Sequence, residues 1–508
     1  MPSAMDQLIR KPFRRVFGCF SAAGGSSSSR GGDAAAPEPV LAGSLHTRVG
    51  GGEDAIGGLP EQILSTIVSR LPATDPARTA VLSSQWLRAR SSAPLVFQDS
   101  DLILAANFTG VAPVAAAVTR IIESHPGPFH TVTLTSYFPE SERATFVGWI
   151  RTVAAKGVRD LTLHNIPWSG LYVLPTDLLQ CCGGSLERLH ASVWRFPSTA
   201  GVLHRGVDGG TPPPSFPRLR ELVLNRCSIE EGDLENMLAC SPALQTLVLV
   251  YSWGAPERVR LVGGSLRCVV LCQCVARELA VVAAPLLERI VLWCSSGPYC
   301  GYLMRIRISR ASSIKVIGYL KPSSHRLQID GTSMKPGLRT SPDELAVPSV
   351  KILGLQVRFG VADEAKMVSY LLRCFPNVET LHLMPVKDPQ SPTHLGDFEF
   401  WEEISSVECV RFSIKKVVFH GFSWENSEIA FIDSVIEGGT MLEKVCIFFE
   451  HRCGTISDDE LNAKMTMVAS LSIGLGRAEV IFSGEDHPWH YKKAADLSRD
   501  DPFDCCYS

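Results

Sequence analysis

Leu244-Gln245-Thr246-Leu247-Val248-Leu249 is followed 22 residues later by Leu266-Arg267-Cys268-Val269-Val270-Leu271, and 21 residues further on by Leu287-Glu288-Arg289-Ile290-Val291-Leu292. The three hexamers share one pattern: apolar, two variable residues, apolar, one variable residue, apolar. The last two apolar residues are two apart, so in a strand they lie on one face and the residue between them points the other way. Moving toward the N-terminus, the pattern recurs as Leu219-Leu222-Leu224, Leu186-Leu189-Ala191, Val158-Leu161-Leu163 and Phe129-Val132-Leu134. Toward the C-terminus it recurs as Ile314-Ile317-Tyr319, Val350-Leu353-Leu355, Val378-Leu381-Leu383, Ile414-Val417-Phe419 and Leu442-Val445-Ile447. The twelve copies start over a span of 313 residues, so the repeat length is about 28 residues, within the range of strand-plus-crossover solenoid units.

A single unit cannot bury its apolar face, but stacked units can. The fold class expected is α/β: a small N-terminal helical module, then a repeat solenoid with a curved parallel sheet and helices or irregular segments on its convex side. Twelve strands side by side would span roughly 55 Å, the size of a macromolecular docking surface. Ordinary α/β domains are the alternative, but they do not require evenly spaced copies. The longest intervals hold loop chemistry: Gly209-Gly210-Thr211-Pro212-Pro213-Pro214, Lys335-Pro336-Gly337, and Pro385 to Gly396. Insertions in solenoids go to such loops. Cys227 and Cys274, three residues past the last apolar position of their copies, occupy the slot that takes Asn or Cys in leucine-rich repeats. The positions facing away from the core are Thr133, Thr162, His190, Val223, Val248, Val270, Val291, Gly318, Gly354, His382, Val418 and Cys446. They are largely uncharged, which suits a protein partner better than a small anion.

Composition agrees. The chain has 508 residues, 45% hydrophobic and 20% charged, with 49 Lys and Arg against 52 Asp and Glu. Near-neutrality argues against a generally basic nucleic-acid binder. No apolar run reaches a membrane span, because Leu102 to Val118 is broken by Asn107, Thr109, Gly110 and Pro113,. Sixteen cysteines are dispersed through a long chain, which reads as reduced core thiols of an intracellular protein and not as a secreted disulfide framework. Residues 1–55 are Gly-, Ser- and Ala-rich and are expected to be disordered,. Their basic stretch, Ile9 to Phe17, suits a solvated tail, a nuclear signal, a membrane-touching segment or a transit peptide.

Helical structure is expected to begin at Leu59. Pro60 and Glu61 suit a first helical turn, and Ile63, Leu64, Ile67, Val68 and Leu71 follow at helical spacing,. Pro72 ends that helix, Asp75-Pro76 starts another, and Ser83 or Ser84 can cap a turn carrying Trp86,. This segment, with Leu59-Pro60, Leu71-Pro72 and Leu82-Ser83-Ser84-Gln85-Trp86, resembles an F-box. Ala89-Arg90 stands where many F-boxes carry Leu-Trp. The remainder is similar to plant F-box proteins with leucine-rich repeats and a C-terminal FBD-type region. The phrases that carry this are Val347-Pro348-Ser349-Val350-Lys351-Ile352-Leu353, Cys374-Phe375-Pro376-Asn377-Val378-Glu379-Thr380-Leu381, Ile414-Lys415-Lys416-Val417-Val418-Phe419 and Met441-Leu442-Glu443-Lys444-Val445.

The resemblance implies a non-catalytic, substrate-recruiting subunit of a Skp–cullin–F-box ubiquitin ligase. Leu59, Pro60, Ile63, Leu64, Ile67, Leu71, Pro72, Leu82 and Trp86 would face the Skp-type adaptor, with Leu59 and Pro60 the firmest and Ile63 and Ile67 shared between interface and module core. The repeats would hold a protein substrate. Trp194, Trp253 and Trp293 follow repeat strands and suit either a binding rim or packing under loops; His190 and His382 lie on the outward-facing stripe. The implied boundaries are an F-box at 56–96, a linker or cap at 97–124, repeats at 125–385, FBD-like repeats at 386–482 and a C-terminal tail at 483–508. The expected compartment is nucleus or cytoplasm. A repeat scaffold outside any ligase is the alternative, and a hormone-type pocket on the solenoid a third reading.

No cofactor, metal, nucleic acid or membrane is expected. Walker, Gly-x-Ser-x-Gly and His-Glu-x-x-His motifs are missing. Cys181-Cys182 and Cys272-x-Cys274 lack the second ligand pair of a zinc site. The terminal His487, His490, Cys505 and Cys506 read as a loose end.

Overall fold

The twelve hexamers each end in a strand, and these strands lie side by side, all parallel, in one sheet. The computed structural model describes residues 60, 63, 64, 66, 95–99, 111–136, 140–165, 171–202, 215–252, 256–293, 303–309, 313–333, 346–386, 399–449, 458–475, 479–483 and 490–504. Its strands are β1 (Leu95–Gln98), β2 (Phe129–Ser136), β3 (Asp160–Asn165), β4 (Arg188–Ser192), β5 (Glu221–Asn225), β6 (Thr246–Val250), β7 (Arg258–Val262), β8 (Cys268–Cys272), β9 (Glu278–Ala283) and β10 (Arg289–Trp293). They continue as β11 (Met304–Ile308), β12 (Val316–Leu320), β13 (His325–Ile329), β14 (Thr332–Ser333), β15 (Ile352–Val357), β16 (Thr380–Pro385), β17 (Lys416–Phe422), β18 (Lys444–Phe449) and β19 (Glu479–Ser483). The main sheet has fourteen strands in the order β1-β2-β3-β4-β5-β6-β8-β10-β12-β15-β16-β17-β18-β19.

Two edge strands were not among the twelve copies. β1 pairs with β2 and β19 with β18. The sheet therefore starts at Leu95, inside what the sequence assigned to the F-box end, and not at 125. It also runs through the expected 385/386 boundary without a break, because β15, β16 and β17 pair in continuous register.

The outer face of the sheet carries the helices α1 (Val111–Ser124), α2 (Arg143–Ala155), α3 (Asp177–Cys181), α4 (Glu231–Ala239), α5 (Ala362–Cys374), α6 (Glu408–Phe412), α7 (Asn426–Gly438) and α8 (Asp458–Leu475). Their apolar faces and the paired apolar strand residues form one core, such as Val153 and Leu178 with Leu161 and Leu163. Each such side chain, fully buried, contributes about 1.5–3 kcal/mol. In α5 the buried Ala365, Val368, Leu371 and Leu372 make the inward face, with Asp363 and Glu364 in the first turn and Arg373 in the last, as the helix dipole favours,.

Between α4 and α5 the outer layer changes type. β7, β9, β11 and β13 form a second parallel sheet, closed by the antiparallel β13–β14 hairpin. This corrects the expectation of helices or irregular segments throughout. The repeats carrying β7 and β9 are 22 and 21 residues long, too short for a strand, two turns and a multi-turn helix, whereas those carrying β11 and β13 are 27 and 36 residues long and keep the outer strand all the same. The sequence alternates instead: Val259 and Leu261 are buried between exposed Arg258 and Arg260, and Met304, Ile306 and Ile308 between Arg305 and Arg307.

A recurring turn locks successive repeats together. Val193, Arg226, Tyr251 and Gln273 each follow a strand with φ of 65°, 52°, 52° and 56°. Their N–H groups donate to the carbonyls of Asn225, Val250, Cys272 and Trp293 at 2.8, 2.7, 2.8 and 2.6 Å. The Cys227 and Cys274 thiols donate to the carbonyls of Ala191 and Leu249, one repeat back, at 3.3 and 3.2 Å. Burial pushes these thiols up, to about 12 and about 11, so they act as neutral donors.

Candidate functional site

The inner face of the sheet is lined by residues that alternate with the core positions, and it divides into two stretches. Across β2 to β5 it is polar. The Asp160 carboxylate accepts from Arg188 Nε at 2.8 Å and Nη2 at 2.5 Å, and Thr131 Oγ1 donates to it at 3.3 Å. His190 Nε2 and Glu221 Oε1 are 3.0 Å apart, both about 30% exposed. Burial alone would raise the Glu221 carboxyl, but the hydrogen bond and charge of His190, with Arg188 nearby, outweigh it and hold it low.

From β5 onward an apolar stripe with basic groups beside it is covered by the chain itself. Residues 490–504 lie across it, with the short helix α9 (Tyr491–Ala495) against β6 and β8. Val223, Val248, Val270 and Val291 pack in one cluster with Ala494 and Phe503. Arg289, 5% exposed, donates from Nη1 to the Asp496 carbonyl at 2.8 Å and from Nη2 to that of Arg499. A buried guanidinium is tolerable only with such partners. His382 Nε2 lies 2.8 Å from Asp501 Oδ2, and its Nδ1 3.1 Å from His420 Nε2. Lys416 Nζ donates to Asp504 Oδ2 at 3.0 Å.

Phe503 is the anchor of this segment, fully buried, with its ring 4.7 Å from that of Tyr319 and 5.3 Å from that of His382. The sequence pattern assigned Tyr319 to the core. The structure corrects this: the register of β12 against β15 slips between Ile317 and Leu320. Leu320 takes the slot opposite Leu355, and the extra residue turns Tyr319 to the inner face,. Two glycines make room. A Cβ on Gly318 would lie 2.6 Å from the Gly354 backbone, and one on Gly354 would lie 3.1 Å from the Tyr319 ring.

The charge states follow from this packing. Burial, reinforced by the charge of His382, pushes His420 down to about 3, so it is neutral. Burial alone would raise the Asp501 carboxyl, yet the charge and hydrogen bond of His382 and the Phe503 N–H hold it below the usual range. Burial works against the Lys416 ammonium, but Asp504 raises it above its ordinary value.

The sequence-selected residues fall in different parts of the molecule. Trp194 is 2% exposed: its Nε1 donates to the Leu163 carbonyl at 3.1 Å and its ring stacks on Phe146 at 5.4 Å, which makes it core and not rim. Trp293 sits on the inner face against Tyr319 at 5.3 Å. His190 stands on the open polar stretch, whereas His382 is beneath the terminal segment. That segment is docked, not loose, and His490 Nδ1 accepts from the Lys492 N–H at 3.1 Å. Of the F-box positions, Pro60 and Ile63 are exposed and Leu64 is fully buried. Leu59, Ile67, Leu71, Pro72, Leu82, Trp86 and Trp253, with His487, Cys505 and Cys506, lie outside the described residues. Among the described residues, no group of three or more His, Cys, Asp or Glu is placed to hold a metal, and no helix is long and apolar enough to cross a membrane.

Parallel strands, short repeats, the ladder of turn bonds and the thiols one repeat apart define a leucine-rich-repeat solenoid whose inner face holds a peptide segment. The comparisons take this further. Residues 146–383 match the family model described as FBD-associated F-box protein At5g56370, LRR repeats, and residues 402–447 match FBD. The F-box/LRR-repeat protein At3g26922 of Arabidopsis thaliana is 30% identical over 257 residues, 50% of this chain and 72% of that protein. The F-box/FBD/LRR-repeat proteins At2g04230 and At1g13570 of the same plant are each 23% identical, over 83% of this chain and 95% and 96% of their own. The chain belongs to the plant F-box/leucine-rich-repeat family with a C-terminal FBD region, a family of adaptor- and interaction-type proteins.

Proposed function

We propose that this protein is the substrate-recruiting subunit of a Skp–cullin–F-box ubiquitin ligase, acting in the nucleus or cytoplasm. The observation that carries the reading is one of order. The F-box-like Leu59-Pro60 … Leu71-Pro72 … Trp86 stands directly ahead of a fourteen-stranded solenoid whose inner face accommodates peptide. Leu59, Pro60 and Ile63 would contact a Skp-type adaptor, and the solenoid would hold the protein to be modified. Such a subunit needs no catalytic group. It raises the local concentration of substrate beside a ubiquitin carrier bound elsewhere in the assembly.

A scaffold working outside a ligase is the second reading, favoured by Ala89-Arg90 at the end of the F-box-like segment. The two separate in a pull-down with purified Skp-type adaptor. The wild-type chain is expected to bind, and Leu59→Ala/Pro60→Ala to lose at least tenfold in affinity. A correctly folded wild type that does not bind the adaptor leaves the scaffold reading.

A further inference from the structure

We propose that the C-terminal half of the inner face is a docking groove for a protein segment with an aromatic residue, a carboxylate two positions before it and another one after it. Residues 490–504 fill this groove in cis as a competing ligand. The proposal rests on the reading that the repeats recruit a protein partner, and it names the chemistry of that partner.

Three features build the groove. Tyr319 is turned out of the core by the register slip in β12 and lies over Gly354, so an aromatic seat exists because two adjacent strands carry glycine there. Around the seat stand basic groups at fixed places: His382 on Asp501, Lys416 on Asp504, and Arg289 on the carbonyls of Asp496 and Arg499. The floor between them is the valine stripe Val248, Val270 and Val291. An apolar stripe flanked by hydrogen-bond donors and basic side chains selects a segment with a complementary aromatic and acidic pattern.

The terminal segment is held by side chains of the sheet's inner face, among them Arg289, His382 and Lys416. The segment does not extend the sheet edge as an added strand, so its place is open to another chain with the same pattern. The polar stretch at Arg188, His190 and Glu221, left uncovered beside it, gives a partner somewhere to begin. A tethered segment has an effective concentration in the millimolar range, so a free competitor gains access only by adding contacts such as these.

The test uses the full chain and a fluorescein-labelled synthetic peptide with the sequence of residues 490–504, read by fluorescence anisotropy. The wild-type chain should bind the peptide at least tenfold more weakly than Asp504→Lys, in which the tether's contact with Lys416 is reversed. Adding Lys416→Glu to Asp504→Lys re-pairs the tether and should return binding to the wild-type level. A peptide with Ala in place of Phe503 should bind at least tenfold more weakly to the Asp504→Lys chain. If that chain, with the wild-type circular dichroism spectrum, binds the peptide no better than wild type, or binds the Ala peptide equally well, the proposal is overturned. The same preparations are assayed with the Skp-type adaptor. Adaptor binding without peptide binding overturns the groove alone; peptide binding in the expected order without adaptor binding supports the groove and removes the ligase reading.

Discussion

The two stretches of the inner face occupy one sheet built on one repeat, yet they solve opposite problems. On β3 to β5, Asp160, Arg188, His190 and Glu221 pair with one another and remain in contact with solvent. From β6 to β18 the positions level with His190 are Val248, Val270, Val291, Gly318, Gly354, His382, Val418 and Cys446, all buried, while those level with Glu221 include Thr246, Arg289 and Lys416. A polar stretch can stay open because water and neighbouring charges satisfy it. An apolar stretch of that length is costly in water and needs a cover. Much of this cover is supplied by the chain's own residues 490–504, whose Phe503 rests on Tyr319 where Gly318 and Gly354 leave room.

The sharpest way to break this comparison is Phe503→Ala. Removing a fully buried phenylalanine costs about 3–5 kcal/mol, and here the loss should fall on docking of the terminal segment. In hydrogen exchange read by mass spectrometry, amides of residues 491–503 should lose protection while those of β3 and β4 keep theirs. If protection fell equally across the sheet, the segment would be a structural member of the fold and not a removable cover.

The repeat was legible because its signal is local and multiplied: three apolar residues at fixed offsets, twelve times. The edge strands escaped for a local reason. At β19, Arg477 stands three residues ahead of the apolar pair Val480/Phe482, so the first apolar position is missing; at β1, Phe97 is level with Val132, and Asp99 takes the last apolar position two residues on. The second sheet was written in the alternation of Arg258 to Leu261 and Met304 to Ile308, but a search tuned to one period passes over another,. The apolar stripe from Val223 to Val291 was read as the mark of a partner. In the structure this stripe is covered by the chain's own residues, Ala494 and Phe503 among them. What the sequence could not supply was the cover's identity, because a segment that docks once leaves no repeat to detect. The seat for Phe503 depends on a slipped register at Tyr319, which no hydrophobic pattern encodes.

A smaller effect sharpens the comparison through pH. His420 lies in the covered stretch, stacked against His382 and Phe448 at 5.4 and 5.7 Å, with Tyr319, Lys416, Asp501 and Asp504 around it. Its value is pushed down to about 3 by burial first and the His382 charge second. In the unfolded chain it titrates near 6.5, so below that pH the unfolded state takes up a proton that the folded state refuses. Stability is therefore full above about pH 6.5 and falls by up to about 1.4 kcal/mol per pH unit as acid is added. Asp501, held below the usual carboxylate range, adds its own loss only at still lower pH. Denaturant titrations between pH 5 and 7 should show a smaller pH slope for His420→Gln than for wild type. An unchanged slope would mean that His420 is not sealed beneath the segment.

The least effect is expected on the open stretch. Glu221→Gln removes the charge partner of His190, but both side chains are about 30% exposed, and pairs of that kind contribute about 0–1 kcal/mol because solvent screens them. Glu221 is held low in the folded state, so its contribution is present above the ordinary carboxylate range and is lost only as the pH falls through its depressed folded value,. At pH 7 the variant should unfold at nearly the wild-type denaturant concentration, within about 1 kcal/mol. A loss well beyond that would show that the Asp160, Arg188, His190 and Glu221 group braces the sheet as a connected network. The distinction between a stretch that is covered because it must be and one that is left open because it can be would then fail at its open end.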